Sequence, residues 1–122
     1  MSKDTTYNGW PNYETWAVKL WMDNEEASYL HWQAVARETW AETPEEPEEF
    51  CYGTRRDRTR YALAARLKEE SEEANPMVEE ASIWSDLMSH ALGRVDWDRI
   101  ADHLIDDEVP EAAQTASEEA GR

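Results

Sequence analysis

Apolar side chains recur along most of this chain every three or four residues, the spacing that lines one face of an α-helix. The first such run is Tyr13, Trp16, Ala17, Leu20 and Trp21, at i, i+3, i+4, i+7 and i+8, and it predicts a helix over about 13–22. Asn12 is suited to cap it, and Glu14 sits in the first turn, where the helix dipole favours an anion. Upstream, residues 1–8 read as frayed, and Gly9-Trp10-Pro11 reads as a turn because Pro11 holds Trp10 extended. The stretch 9–24, with three tryptophans, reads as the anchor of the fold.

Asp23 or Asn24 is expected to end this helix and cap a second one, since Asp23-x-x-Glu26 has capping-box spacing. That second helix extends to about Glu42 with Tyr29, Trp32, Ala36 and Trp40 on one side. Residues 43–53 carry two prolines and a dense run of Glu, and read as an acidic linker whose end, Phe50-Cys51-Tyr52, tucks back onto the core. A third helix follows from about Thr54 to Ala74. Asn75-Pro76 then has the form of an N-cap with proline at the first helical position, and predicts a fourth helix up to Gly93. Asp96 caps a fifth, in which Trp97, Ile100, Ala101, Leu104 and Ile105 keep unbroken helical spacing. Beyond Asp106 the pattern stops. The expected architecture is all-α: a single domain over 1–106 of about five helices with a Trp-rich core, followed by a disordered acidic tail, 107–122. Strand-like alternation, internal repeats and heptads are absent from the sequence.

Charge changes the picture most. The chain has 28 Asp and Glu against 12 Lys and Arg, a formal net charge of -16 and a pI near 4.4. Such a field repels nucleic acid, so direct DNA or RNA binding through a broad basic surface is disfavoured. It suits solubility, a basic protein partner, or competition with DNA for a DNA-binding protein. A lone cysteine, Cys51, cannot close an internal disulfide and points to a reducing setting. With no membrane-spanning run and no basic leader followed by an apolar one, the expected location is the cytoplasm, in the case of a mobile element that of its host.

Two stretches carry a family resemblance. NGWPNYETWAVKLWMDNE, residues 8–25, resembles the opening of a family of small uncharacterised proteins, a domain of unknown function, borne by phages, plasmids and some bacterial and archaeal genomes. Its members begin with Asn-Tyr-Glu-Thr-Trp followed by Leu-Trp. VDWDRIADHLIDD, residues 95–107, is similar to the family's closing helix. The resemblance implies a mobile-element setting; it brings no established activity and no catalytic residues.

Chemistry is thinly represented. Asp86 and His90 share a helical face, and Asp102, His103 and Asp107 lie close in sequence, but the Glu plus Glu-x-x-His pattern of a di-metal bundle is missing. His31 has no acidic neighbour one turn away. Cys51 lies among carboxylates, which raise a thiol pKa and disfavour nucleophilic use. No catalytic residues, metal or cofactor are expected, and the chain reads as a non-enzyme. The basic island Arg55 to Arg60 sits between two acidic stretches, and its expected job is internal neutralisation or contact with an acidic surface. The acidity supports the sharper idea: helix-borne carboxylates can copy the charge density of a duplex backbone, about one charge per 1.7 Å. On that reading Glu45, Glu46, Glu48, Glu49, Glu69, Glu70, Glu72 and Glu73 contact a basic partner, a host nucleic-acid-processing or defence protein, as in anti-CRISPR or anti-restriction inhibitors. The plainer reading is a solvated surface. A runner-up function is a small accessory or scaffold protein that binds a protein partner through exposed aromatics, with Trp10 and Trp40 foremost.

Overall fold

The computed structural model describes residues 6–46, 53–77 and 81–110. They form five helices: α1 (Tyr13–Asn24), α2 (Glu26–Glu42), α3 (Arg55–Glu73), α4 (Ile83–Gly93) and α5 (Trp97–Glu108). The chain is an all-α single domain with no named strand among the described residues. Phe50, Cys51 and Tyr52, for which packing against the core was expected, lie outside the described residues, as do 111–122 of the expected tail.

The fold is organised around α5 rather than the N-terminal stretch. Trp97, Ile100, Ala101, Leu104 and Ile105 are all buried, and α5 packs most extensively on α3, then on α2, with α1 at its edge. From the other side Leu63 and Leu67 of α3 and Val35 and Ala36 of α2 close the core. Helix α5 also outlasts its expected end. Val109 caps it and is buried, and Glu108 reaches Arg37 of α2 at 2.8 Å. The folded part therefore passes the boundary at 106: Val109 supplies the apolar contact one helical turn after Ile105, which a reading that stopped at Asp106 and Asp107 missed.

The core is aliphatic, not Trp-rich. Of the seven tryptophans only Trp32 and Trp97 are buried; Trp10, Trp16 and Trp40 are half-buried, and Trp21 and Trp84 are exposed. The reason is visible in α1, whose inward face is Thr15, Lys19 and Met22, not the aromatic stripe. Lys19 lies with its stem covered while its ammonium reaches both carboxylate oxygens of Asp23 at 2.7 Å, so a charged residue fills an inward position without leaving its charge unpaired. Thr15 is fully buried and works as a joint. Its hydroxyl donates to Asn12 Oδ1 at 2.6 Å and accepts from the backbone N–H of Asp96 at 2.8 Å. Asn12 accepts from Thr15 N–H at 2.9 Å, the expected cap, and its Nδ2 donates to the Arg94 carbonyl at 2.7 Å. Asp96 in turn caps α5 through Arg99 N–H. The two sequence stretches that carry the family resemblance thus meet here, and several of their polar residues make up the joint.

Three local readings need correction. The N-terminal turn is centred on Asn8-Gly9, both at positive φ (48° and 87°), with Tyr7 and Trp10 exchanging backbone hydrogen bonds at 2.8 Å. This is the Asn-Gly hairpin turn, and its sequence signal was present. The break between α1 and α2 is Glu25, which caps without a side-chain bond, while Asp23 stays inside α1 and pairs with Lys19. Helix α4 starts at Ile83 under a Ser82 cap rather than at Pro76; Asn75 instead accepts from Met77 N–H at 2.9 Å, an Asx turn that competes with helix initiation.

Candidate functional site

The basic island is spent inside the fold. Thr54 and Asp57 form a reciprocal capping box that starts α3 and fixes the directions of the arginines that follow. Arg55 lays its guanidinium over the Trp40 ring, 4.1 Å from the centroid, and donates to the Trp40 carbonyl at 2.8 Å. Arg58 donates to the Pro44 and Glu45 carbonyls, at 2.7 and 3.1 Å. Arg56 reaches Asp106 at 2.7 Å and Asp102 at 3.3 Å, and Arg60 bridges Asp57 and Asp102. So α3 clasps the end of α2 with one pair of arginines and the acidic face of α5 with the other. The hydrogen bond to Asp106 raises the Arg56 pKa against the opposing effect of burial. The Thr54 backbone N–H lowers the Asp57 pKa, ahead of burial, which opposes it, and of the nearby Arg60 and Arg56.

Between the end of α2 and the starts of α3 and α5 opens a cavity of about 1070 Å³. Its walls set Arg58, Arg60 and Arg99 against Glu42, Asp57, Asp96, Asp98 and Asp102, and Arg60 is already paired with Asp57 and Asp102 within the wall. Both signs line it, with acids in excess. Among the described residues no group of three or more His, Cys, Asp or Glu is arranged to hold a metal. The histidines have other company: His103 lies against Trp10, ring centroids 4.2 Å apart, and His31 meets Glu70 of α3 at 3.0 Å, a pairing that sequence spacing could not reveal.

The carboxylates proposed as contacts fall into two groups at opposite ends of α3. Glu45 and Glu46 are exposed beside its first turn, with Glu45 3.7 Å from Arg55; Glu48 and Glu49 lie outside the described residues. Glu69, Glu72 and Glu73 are exposed on the last turns, whereas Glu70 is half-buried and held by His31 and Arg66. At 1.5 Å per residue the two groups are about 20 Å apart along the helix. Three further cations close on acids as well: Lys19 on Asp23, Arg37 on Glu108, Arg94 on Glu14.

The two tryptophans singled out for exposure are half-buried. Trp10 covers His103, and Trp40 lies under Arg55. The open ones are Trp21, 64% exposed on α1, and Trp84, 65% exposed on α4. Helix α4 has no buried residue, and Leu92 near its C-terminal end packs against the core. A second concavity, about 630 Å³, lies between α1, α2 and the end of α3 and includes Trp21 in its wall. A periodic pattern identifies a helical face but not whether that face is covered, so sequence spacing did not distinguish Trp21 from Trp97. Among the described residues no helix is long and apolar enough to cross a membrane.

A family model described as a family of unknown function, DUF7249, matches residues 3–119, and the chain belongs to that family. No curated protein and no solved structure matches it.

Proposed function

We propose that this member of the DUF7249 family is a non-enzymatic inhibitor carried by a mobile element, which binds a basic surface on a host nucleic-acid-processing or defence protein. The observation that supports it is the fate of the cations. Arg55, Arg56, Arg58 and Arg60 are turned onto acceptors within the domain, so a chain of net charge -16 presents an outward field dominated by carboxylate. Two exposed groups, one beside the first turn of α3 and one on its last turns, lie about 20 Å apart along the helix, a distance comparable to about six phosphates of one DNA strand. Occupation of a DNA-binding groove, of the anti-CRISPR or anti-restriction kind, is the mode that this spacing suits. Electrostatic steering of this sort speeds association and weakens with salt.

The test is capture from nuclease-treated host lysate at low salt, with elution by duplex DNA and then by high salt. A DNA-binding enzyme or defence complex released by duplex, and lost when Glu45, Glu46, Glu69, Glu72 and Glu73 are changed to Gln, is the expected result. Binding indifferent to salt and to those changes overturns the reading. The second reading, an accessory protein that binds through aromatics, is favoured by the exposure of Trp21 and Trp84 and predicts a complex that resists duplex DNA but not loss of those two side chains.

A further inference from the structure

The carboxylate reading leaves the apolar surface unused. On α4, Ile83, Trp84 and Leu87 are each more than half exposed and Met88 is 36% exposed. Their spacing, i, i+1, i+4 and i+5, makes one stripe. Together they leave on the order of 400 Å² of apolar surface in water, within the range of the largest patch on an ordinary monomer. In a chain this polar, the described residues leave this helix with no buried residue and its apolar stripe bare. Across the domain, the concavity of about 630 Å³ has an apolar wall of Ala17, Val18, Trp21, Met22, Trp32 and Ala74. Its rim carries Glu25 and Glu70. That size accommodates a few large side chains.

We propose that the occupant is a second copy of this chain: the α4 stripe of each protomer seats in the α1–α2–α3 groove of the other, about a two-fold axis. Three observations argue for it. Ridge and groove are both present on one molecule, which is what a self-complementary interface requires. Helix α4 carries only Asp86 and His90 as titratable side chains, so it can approach the Glu25 and Glu70 rim without bringing a run of like charge. The area also decides between arrangements. Two α4 stripes packed on each other would bury on the order of 800 Å², the scale of a crystal contact, whereas two stripes in two grooves add the lining of both grooves and bury on the order of 1,100 Å², past the roughly 1,000 Å² that a specific interface should clear.

The exchange predicts a salt response opposite in sign to the one expected for a basic partner. Two chains of net charge -16 repel, so added salt strengthens the dimer by screening. The experiment is sedimentation of the full chain over a wide concentration range at low and high NaCl, with two variants built on exposed positions. One carries Trp84→Asp and Leu87→Asp on α4, the other Trp21→Asp and Ala27→Asp in the groove, and circular dichroism checks that both fold. The expected result is a wild-type dimer that tightens with salt and is weakened at least about 100-fold in each variant. A wild type that stays monomeric at every concentration and salt overturns the proposal. So does a groove variant that still dimerises while the α4 variant does not, which would mean stripe on stripe. Both variants keep the Glu groups at the ends of α3, so capture of a basic partner succeeds or fails separately.

Discussion

The joint at Thr15 offers the sharpest test of how this fold is held. Replacing Thr15 by Val keeps shape and volume and removes one oxygen. That oxygen accepts from the Asp96 N–H at 2.8 Å and carries the proton given to Asn12 Oδ1 at 2.6 Å. Asn12 keeps a donor, because the Thr15 backbone N–H still reaches it at 2.9 Å. Asp96 N–H loses its acceptor in a setting where Thr15 is fully buried, and a stranded buried donor costs about 1–3 kcal/mol. Thr15→Ser is the control. It keeps the oxygen and loses a buried methyl, worth about 1 kcal/mol. We expect Val to cost about 2 kcal/mol, which for a domain of this length lowers Tm by about 6–10 °C, and Ser to cost about half as much. Urea unfolding followed by far-ultraviolet circular dichroism and by tryptophan fluorescence reads both. A Val variant as stable as wild type, or more stable than Ser, would refute the account of the joint.

The remaining predictions probe the other parts of the scaffold. Met22→Ala should cost about 2–3 kcal/mol, as a truncation in the core, whereas Trp21→Ala, one residue away and mostly in water, should change stability by no more than about 0.5 kcal/mol; the reverse order in denaturant melts would mean that the inward face of α1 is misassigned. Arg55→Lys keeps the charge but loses the planar stack on Trp40 and the fork that reaches its carbonyl, and should cost about 1 kcal/mol, with a change in the emission of Trp40; no change in either signal would dismiss the clasp. Because the folded pKa of Asp57 lies below its ordinary value, its contribution is present above the unfolded carboxylate pKa and fades as pH falls through the folded one. Asp57→Asn should therefore lower stability at neutral pH and converge on wild type in acid, read as the difference between the two melts so that the general relief of carboxylate repulsion cancels.

What the sequence disclosed, and what it withheld, follows from the kind of signal each feature left. Helix α5 was legible nearly to its end because its apolar residues face a core on which they have no competitor. Helix α1 was legible as a helix but not in its rotation: Tyr13, Trp16, Ala17, Leu20 and Trp21 make the more apolar stripe, yet the buried side is Thr15, Lys19 and Met22. Two contacts from outside the helix bear on that rotation. The Thr15 hydroxyl accepts from Asp96 across the fold, and Tyr7 returns from the Asn8-Gly9 turn to meet Tyr13 edge-on and Trp16 at a tilt, centroids 5.2 and 4.8 Å away. Neither is periodic, so neither registers in a search for stripes. Of the site, the acidic groups were legible as composition, whereas the exposure of Trp84 was not, since its helix has the same spacing as a buried one.

The cation bookkeeping links fold to function. Each of Arg55, Arg56, Arg58 and Arg60 closes a contact that the fold needs: Arg55 and Arg58 hold the end of α2 and the segment after it, Arg56 holds Asp102 and Asp106 of α5, and Arg60 holds Asp102. Arg55 also lies 3.7 Å from a Glu45 carboxylate oxygen. Stability and surface charge are therefore coupled through the same side chains, since these guanidiniums both fasten the elements around α3 and offset part of the carboxylate charge beside them. Substituting one of them by a neutral residue would raise the net negative charge while loosening the domain, whereas neutralising an exposed Glu would lower the charge and leave the clasp intact. The two kinds of substitution separate a protein that needs its acidity for a partner from one that merely tolerates it: only in the first does binding fall when Glu69, Glu72 and Glu73 become Gln while the melting curve stays where it was.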